Sequence, residues 1–405
     1  MDNTKNRKLI YDSGKSTWFW ICDVNDDIHM RSTFELDHKV NGEELTQAWR
    51  KTMKVYPLLE LIPNRVNDHL QFFEPDDESV VLESREPTMP GTELSRYRGI
   101  SLSYYENTLT TTVFHSVMDG NGAMSVMRTL LYHYCCIHFG KTFDPTGFML
   151  EENRVPIDYY KPFKSYPMGE YTPVPLYTFP ENAEFFNDPD MIPVGPGKII
   201  LGTLGIPTDD FIAMCKRNGA NPSAMVCILL ARAAYSLHKD DRRDMLFHVT
   251  MDFRGGLGIK DSIAQCSSAA MLELPYAKAV ADDLTSAAKG LRDALNAQRT
   301  ENYIKSYTAL LRTYDMTASS CSGVASYIGS VDLGELQEHI TGLLLVNNAC
   351  NIVNMMQFGD EFLLFCQLGL AAERYMKALT EELKKLGVTA RVVREPAQVI
   401  PEKRN

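Results

Sequence analysis

The sequence is poor in the features that would export a chain, carry it through a membrane or place it on a nucleic acid. Its opening stretch, MDNTKNRKLIYDSGKS, is polar and lacks the apolar run of about 7–15 residues that makes a secretory signal. The most apolar long segment, AMVCILLARAAYSL from Ala224 to Leu237, is too short to span a bilayer and contains Arg232, so no transmembrane segment is expected. Lysines and arginines number 41 against 52 aspartates and glutamates, a formal charge of −11, and they form no cluster of the size a duplex-binding face requires. Nucleic acid is not an expected partner. There is no C-x-x-C, no H-E-x-x-H and no G-x-S-x-G. The spacing signals for zinc and for a nucleophile elbow are therefore missing, and no metal is expected. Nine cysteines, an odd count without paired spacing, read as reduced thiols in a cytoplasmic protein.

What remains is an ordinary globular composition: 405 residues, 44% hydrophobic, 23% charged and 10% aromatic. The length suits two domains, or two lobes of one large fold, at roughly 100–200 residues each. No internal repeat or low-complexity tract is present. The clearest shift lies between residues 141 and 198, which gather half of the 20 prolines beside many aromatics. Proline removes backbone donors and breaks helices, so this segment is expected to be an extended linker held down by aromatic contacts. It divides an N-terminal lobe, residues 1–180, from a C-terminal lobe, residues 181–405.

Patterning within each lobe mixes strands and helices. Strands are expected at Trp18–Ile21, at Ser32–Leu36, and as a hairpin over Gly99–Glu106 and Thr108–Phe114. Later ones are expected near Lys198–Leu204, Asp244–Asp252, Leu343–Val353 and Glu361–Leu368. Asn41 is placed to cap a helix through Tyr56, with Leu45, Ala48, Trp49 and Met53 at core spacing. Further helices are read over Gly122–Phe139, Thr208–Asn218, Pro222–His238, most of Ala281–Tyr314, and Leu370–Leu386. Asn221 and Pro222 supply an N-cap and a first-turn proline, while Gly219 and Gly387 mark ends. The fold class is α/β (α+β), with two similarly built lobes facing one another.

Several motifs carry no chemistry. Gly14-Lys15-Ser16-Thr17 resembles the end of a phosphate-binding loop, but the glycine needed five positions earlier is Leu9. Asp252-Phe253-Arg254-Gly255-Gly256 is glycine-rich but lacks dinucleotide-binding spacing. His133, Cys135, Cys136 and His138 cluster in sequence, yet helical neighbours one or two apart do not share a face. The Ser-Ser-Cys-Ser-Gly run at 319–323 reads as a turn.

One segment differs: Phe114-His115-Ser116-Val117-Met118-Asp119-Gly120-Asn121-Gly122. A strand delivers His115 at its end, a tight turn carries Asp119-Gly120, and a helix follows. A histidine at such a corner can enter a cleft with a neutral imidazole near pH 7, ready as a base. Asp119 can fold back to fix the turn, and Gly120 allows a backbone conformation or approach that a Cβ would block.

These residues resemble the H-x-x-x-D-G motif of the chloramphenicol acetyltransferase-like superfamily. That group includes peptide-synthetase condensation domains, plant acyl-CoA acyltransferases and bacterial alcohol acetyltransferases. Thr208–His238 resembles the superfamily's helix, Asn-Pro-Ser and long-helix segment, and Ser326-Tyr327-Ile328-Gly329 its late S-Y-x-G segment. Many condensation domains have a second histidine where this chain has Phe114, and a serine where it has Gly122.

The resemblance implies two mostly antiparallel lobes with flanking helices, facing across a central tunnel. It implies acyl transfer from a thioester to a hydroxyl or amine, with His115 as general base and no covalent intermediate. Asp119 would be architectural and paired with an arginine, for which Arg254 is the candidate. No tightly bound cofactor is implied; acyl-CoA is the donor substrate, and a small molecule the acceptor. Coenzyme A is strongly anionic, so basic groups are expected near it, with Lys239, Arg242, Arg243 and, beside the motif, Gly122 as candidate binding residues. Two other readings stay open: a condensation-type enzyme taking its donor from an acyl or peptidyl carrier protein, and a non-catalytic member of the fold that binds a ligand or partner.

Overall fold

A computed structural model describes residues 4–15, 29–66, 69–154, 156, 160–161, 165–178, 183–191, 199–259, 262–313, 321–347 and 351–404. The strand expected at Trp18–Ile21 lies outside them. In the first half of the sequence the strands are β1 (Leu9–Lys15), β2 (His29–Leu36), β3 (Ile62–Val66), β4 (His69–Phe73), β5 (Val81–Glu83), β6 (Ile100–Tyr105) and β7 (Thr108–Phe114). The helices there are α1 (Gly42–Val55) and α2 (Gly120–Phe139). The second half holds β8 (Ile200–Pro207), β9 (Met245–Asp252), β10 (Ser267–Leu274), β11 (Gly323–Val331), β12 (Ile340–Asn347), β13 (Ile352–Phe358), β14 (Glu361–Gln367) and β15 (Arg391–Gln398). Its helices are α3 (Thr208–Arg217), α4 (Pro222–Leu237), the short α5 (Arg254–Leu257) and α6 (Tyr276–Ala279), α7 (Thr285–Gln298), α8 (Glu301–Thr313) and α9 (Ala372–Lys385).

Local chemistry explains most of these boundaries. The Asn41 side chain accepts from the amides of Glu43 and Glu44 and starts α1, whose Leu45, Ala48, Trp49 and Met53 are buried. Asn221 accepts from Ala224 N at 2.8 Å with Pro222 behind it, and α4 then buries 12 of its 16 residues. The apolar run at Ala224–Leu237 is thus the central helix of a protein core. No helix among the described residues is long and apolar enough to cross a membrane.

Among the described residues, strands collect into three sheets. β1, β4 and β3 form a small antiparallel one. A five-stranded sheet runs β12-β2-β7-β6-β5, and a seven-stranded sheet β10-β9-β11-β13-β14-β8-β15. Both are mostly antiparallel; the exceptions are β5 beside β6, and β11 beside β9 and β13. Two buried clusters pack against the larger sheets, one around Phe34, Trp49, Leu109 and Leu130, the other around Val226, Phe247, Leu272 and Leu364.

The expected single strand at Leu343–Val353 is two strands in different sheets. β12 crosses over and pairs with β2, Leu343 opposite Phe34 and Val346 opposite Arg31, whereas β13 joins the seven-stranded sheet. Asn351, at φ 54, turns the chain into β13 by a left-handed residue that asparagine tolerates. The proline-rich segment runs along α8: Thr172 N donates to Asn302 Oδ1, Val174 N to Ser306 Oγ and Tyr177 N to Tyr303 Oη. Its aromatics divide as anchors, Phe143, Phe148 and Tyr160 in the first core and Phe186 in the second.

Candidate active site

β7 ends at Phe114, and the chain turns back on itself at once. Val117 N donates to Phe114 O at 3.0 Å, and Phe114 N itself donates to Gly99 O. His115 stands at this corner, half-buried between two fully buried neighbours, Phe114 and Ser116. Burial pushes its imidazolium below the usual histidine range. A main-chain hydrogen bond of its own and the charge of Asp119 act in the opposite sense. The outcome is a ring that stays neutral near pH 7, the form a general base requires.

Asp119 is buried and accepts from three directions. Its Oδ1 takes Gly122 N at 3.1 Å, the cap that starts α2, and Arg254 Nη2 at 2.9 Å; its Oδ2 takes Cys266 N at 2.9 Å. Arg254, at the start of α5, is also buried and spends nearly all its donors here. Nε reaches Ser262 O at 2.6 Å, Nη1 reaches Asp252 Oδ1 at 3.0 Å, and Nη2 also reaches Ala264 O at 2.9 Å. Burial disfavours the guanidinium charge, but Asp119 and Asp252 more than compensate and hold it protonated. Cys266 lies beside the pair, and burial pushes its thiol up to about 12, so it supplies no thiolate nucleophile.

The structural demand for glycine falls on Gly122 and not on Gly120. Gly120 has no left-handed backbone, and a Cβ there would sit 3.5 Å from Ile328 Cδ1, an ordinary contact. Gly122 is the position a side chain cannot occupy: its Cβ would lie 2.1 Å from Ile263 O. Gly122 is buried against that carbonyl, packed between the two halves of the chain. Asn121, between them, donates to Asp252 Oδ2 at 3.3 Å. Residues 119–122 thus all meet the second half, through α5, the 262–266 segment, β9 and β11.

β11 brings its part by a bulge. The register with β13 passes from Tyr327–Met355 to Gly329–Met356, leaving Ile328 as the extra residue, with Gly329 at φ 100. That irregularity aims Ile328 at Gly120. Two residues earlier on the same strand, Ser326 Oγ lies 3.1 Å from Thr250 Oγ1 on β9, a hydroxyl pair on the face that also carries Asp252.

The basic residues proposed from sequence do not join this group. Lys239, Arg242 and Arg243 precede β9, whose seven residue steps at about 3.3 Å put roughly 23 Å between that loop and Asp252. Arg243 Nε and Nη2 are bound to the Asp241 carboxylate, and Arg242 caps the carbonyls of its own loop and lies over the Tyr276 ring. Mixed charge in a short surface loop satisfies itself. Sequence reasoning also could not have found Cys266 N, Ile263 O or Ala264 O, because main-chain contacts leave no mark on side-chain identity.

No protein-family model matches this sequence, and no curated protein matches it. Solved structures do match its shape. TRI101 from F. graminearum, solved with coenzyme A and deoxynivalenol, superposes with a TM-score of 0.65 at 14% identity, covering 95% of this chain and 100% of that one. Polyketide synthase associated protein 5 from Mycobacterium tuberculosis gives 0.60 at 12% identity, over 88% and 93% of the two chains. The first condensation domain of the CDA synthetase gives 0.57 at 15% identity, over 92% and 94%. The chain shares their fold.

Proposed function

We propose that this protein is an acyltransferase, moving an acyl group from a thioester, with acyl-CoA as donor, to the hydroxyl or amine of a small acceptor. The observation that carries the reading is His115 itself. A ring held neutral by burial stands on a strand-end corner that the Asp119–Arg254 pair locks against the second half. The shared fold supports it, since TRI101 holds coenzyme A in that fold.

In this mechanism the two halves act as lobes with a tunnel between them, and His115 faces it. With one ring nitrogen engaged on its own main chain, the other takes the proton from the acceptor as its oxygen or nitrogen attacks the thioester carbonyl. The tetrahedral intermediate collapses with cleavage of the carbon–sulfur bond, and the proton returns to the departing thiolate. A thiolate is already a good leaving group, so no enzyme nucleophile is required. Asp119 works at one remove: it caps α2 and pins the corner, while its charge is taken up by Arg254.

The test is a panel of acyl-CoAs of increasing chain length, each with pooled alcohols and amines, read as free thiol released. Acceptor-dependent thiol release is the expected result. Release only when the acyl group is offered on a carrier protein would move the donor to the condensation type. No release from either donor would remove the enzymatic reading.

A further inference from the structure

Beyond β15 the chain turns back across the first half, and its contacts converge on the strand beside His115. Val399 N donates to Ile199 O, and Arg31 Nη1 donates to Ile400 O at 2.7 Å. Lys403 is bound at both main-chain groups, its N to Pro87 O and its O by Met89 N, and it bridges Thr88 in parallel. Between these anchors Glu402 enters a buried space. Its Oε1 lies 3.0 Å from His29 Nε2 and 3.1 Å from Arg31 Nη1, both residues only 3% exposed.

His29 and Arg31 belong to β2, and the register decides what they touch. His29 is directly opposite Phe114, and Arg31 opposite Thr112, so these two side chains share a sheet face with the end of β7. Phe114 is the residue before His115. No other acidic group pairs with His29 or Arg31 among the described residues. Without Glu402, the Arg31 guanidinium would be buried without a counter-charge at the end of the sheet that carries the corner.

We propose that Glu402 is a positioning residue for His115, a clasp that fixes the end of the β2–β7 pair from which the base projects. The inference rests on the acyl-transfer reading for its kinetic consequence only; the mechanical link is independent of it. Displacements of about 1 Å at a reacting group can lower a rate about 100-fold, so a loosened corner should act on turnover more than on binding.

The experiment compares Glu402→Gln and Glu402→Asp with the full-length wild type by two readouts. In thiol-release assays the Gln variant should lose about 10- to 100-fold in kcat with KM within about twofold, and the Asp variant should recover most of it. In NMR of protein labelled at histidine Cε1, the His115 resonance should shift and broaden in Glu402→Gln and return in Glu402→Asp. Should Glu402→Gln not fold, His29→Asn, which leaves the Arg31–Glu402 contact in place, is read the same way. An unchanged His115 resonance in the folded variant overturns the clasp. If the wild type consumes no thioester, the proposed function fails while the resonance still decides the clasp.

Discussion

Asp119 accepts hydrogen bonds from three separate parts of the chain, so its loss is felt in all three. Asp119→Asn and Arg254→Met should each lower stability by about 3–5 kcal/mol, because each leaves a buried charge without its partner. The double variant should cost much less than the sum, measured by denaturant unfolding. Additive losses would mean that the pair is not coupled. The glycines separate as sharply. Gly122→Ala drives a methyl into the Ile263 carbonyl and should cost at least about 1–3 kcal/mol, as overpacking of a filled site does. Gly120→Ala should stay within about 1 kcal/mol of wild type, since Ala suits a helix start and meets only Ile328 at van der Waals distance. The pH dependence of His115 follows from its burial. A base must be neutral, and its conjugate acid is held below the ordinary histidine range. Activity measured as kcat/KM should therefore persist below pH ~6.5 and fall only as the pH passes through the lowered value. A fall centred at or above pH ~6.5 would contradict the burial argument.

At the scale of elements, the parts legible in the sequence were those with local causes. Asn41, Asp119 and Asn221 each sit one residue before a helix and bond its first turn, and polar caps before apolar runs are readable signals. The β6–β7 hairpin was legible from local composition too, its β-branched and aromatic runs broken only by Glu106-Asn107. The transfer of β12 to the other sheet was not, because an apolar strand reads alike in whichever sheet it pairs. The exposed edge strand β15, RVVREPAQ, and the 399–404 return have no such pattern at all. Within the site, the motif residues stood out, whereas charge alone does not say at which end of β9 the basic loop lies. Two histidines outside the site set an element-level expectation. Burial on β9 lowers His248 to about 4, and burial on α2 lowers His133 to about 4. Folded pKa values below the unfolded ~6.5 mean that the unfolded state binds more protons as pH falls. Their contribution to stability is fully present above pH ~6.5 and is lost as the pH drops through about 4. Replacing both by Gln should flatten that part of a melting-temperature profile, and an unchanged slope between pH 6.5 and 4 would count against it.

For the whole molecule, the two halves of the sequence are joined by more than the proline-rich segment. β12 completes the first sheet, the Asp119–Arg254 pair and the Gly122–Ile263 packing meet at the corner, and residues 399–404 return to β2. A protease nick in the exposed 167–175 stretch should therefore leave both fragments together in gel filtration under native conditions; separate elution would show that the linker alone held them. Asp119 and Gly122 hold the turn that carries His115, and whether that imidazole is the base decides the reading. The most direct measurement is thiol release from the preferred acyl-CoA by His115→Ala beside wild type, with melting temperatures recorded for both. The account expects a fall of about 10²–10⁴-fold in kcat with the melting temperature nearly unchanged. Wild-type turnover in a folded His115→Ala protein would contradict it.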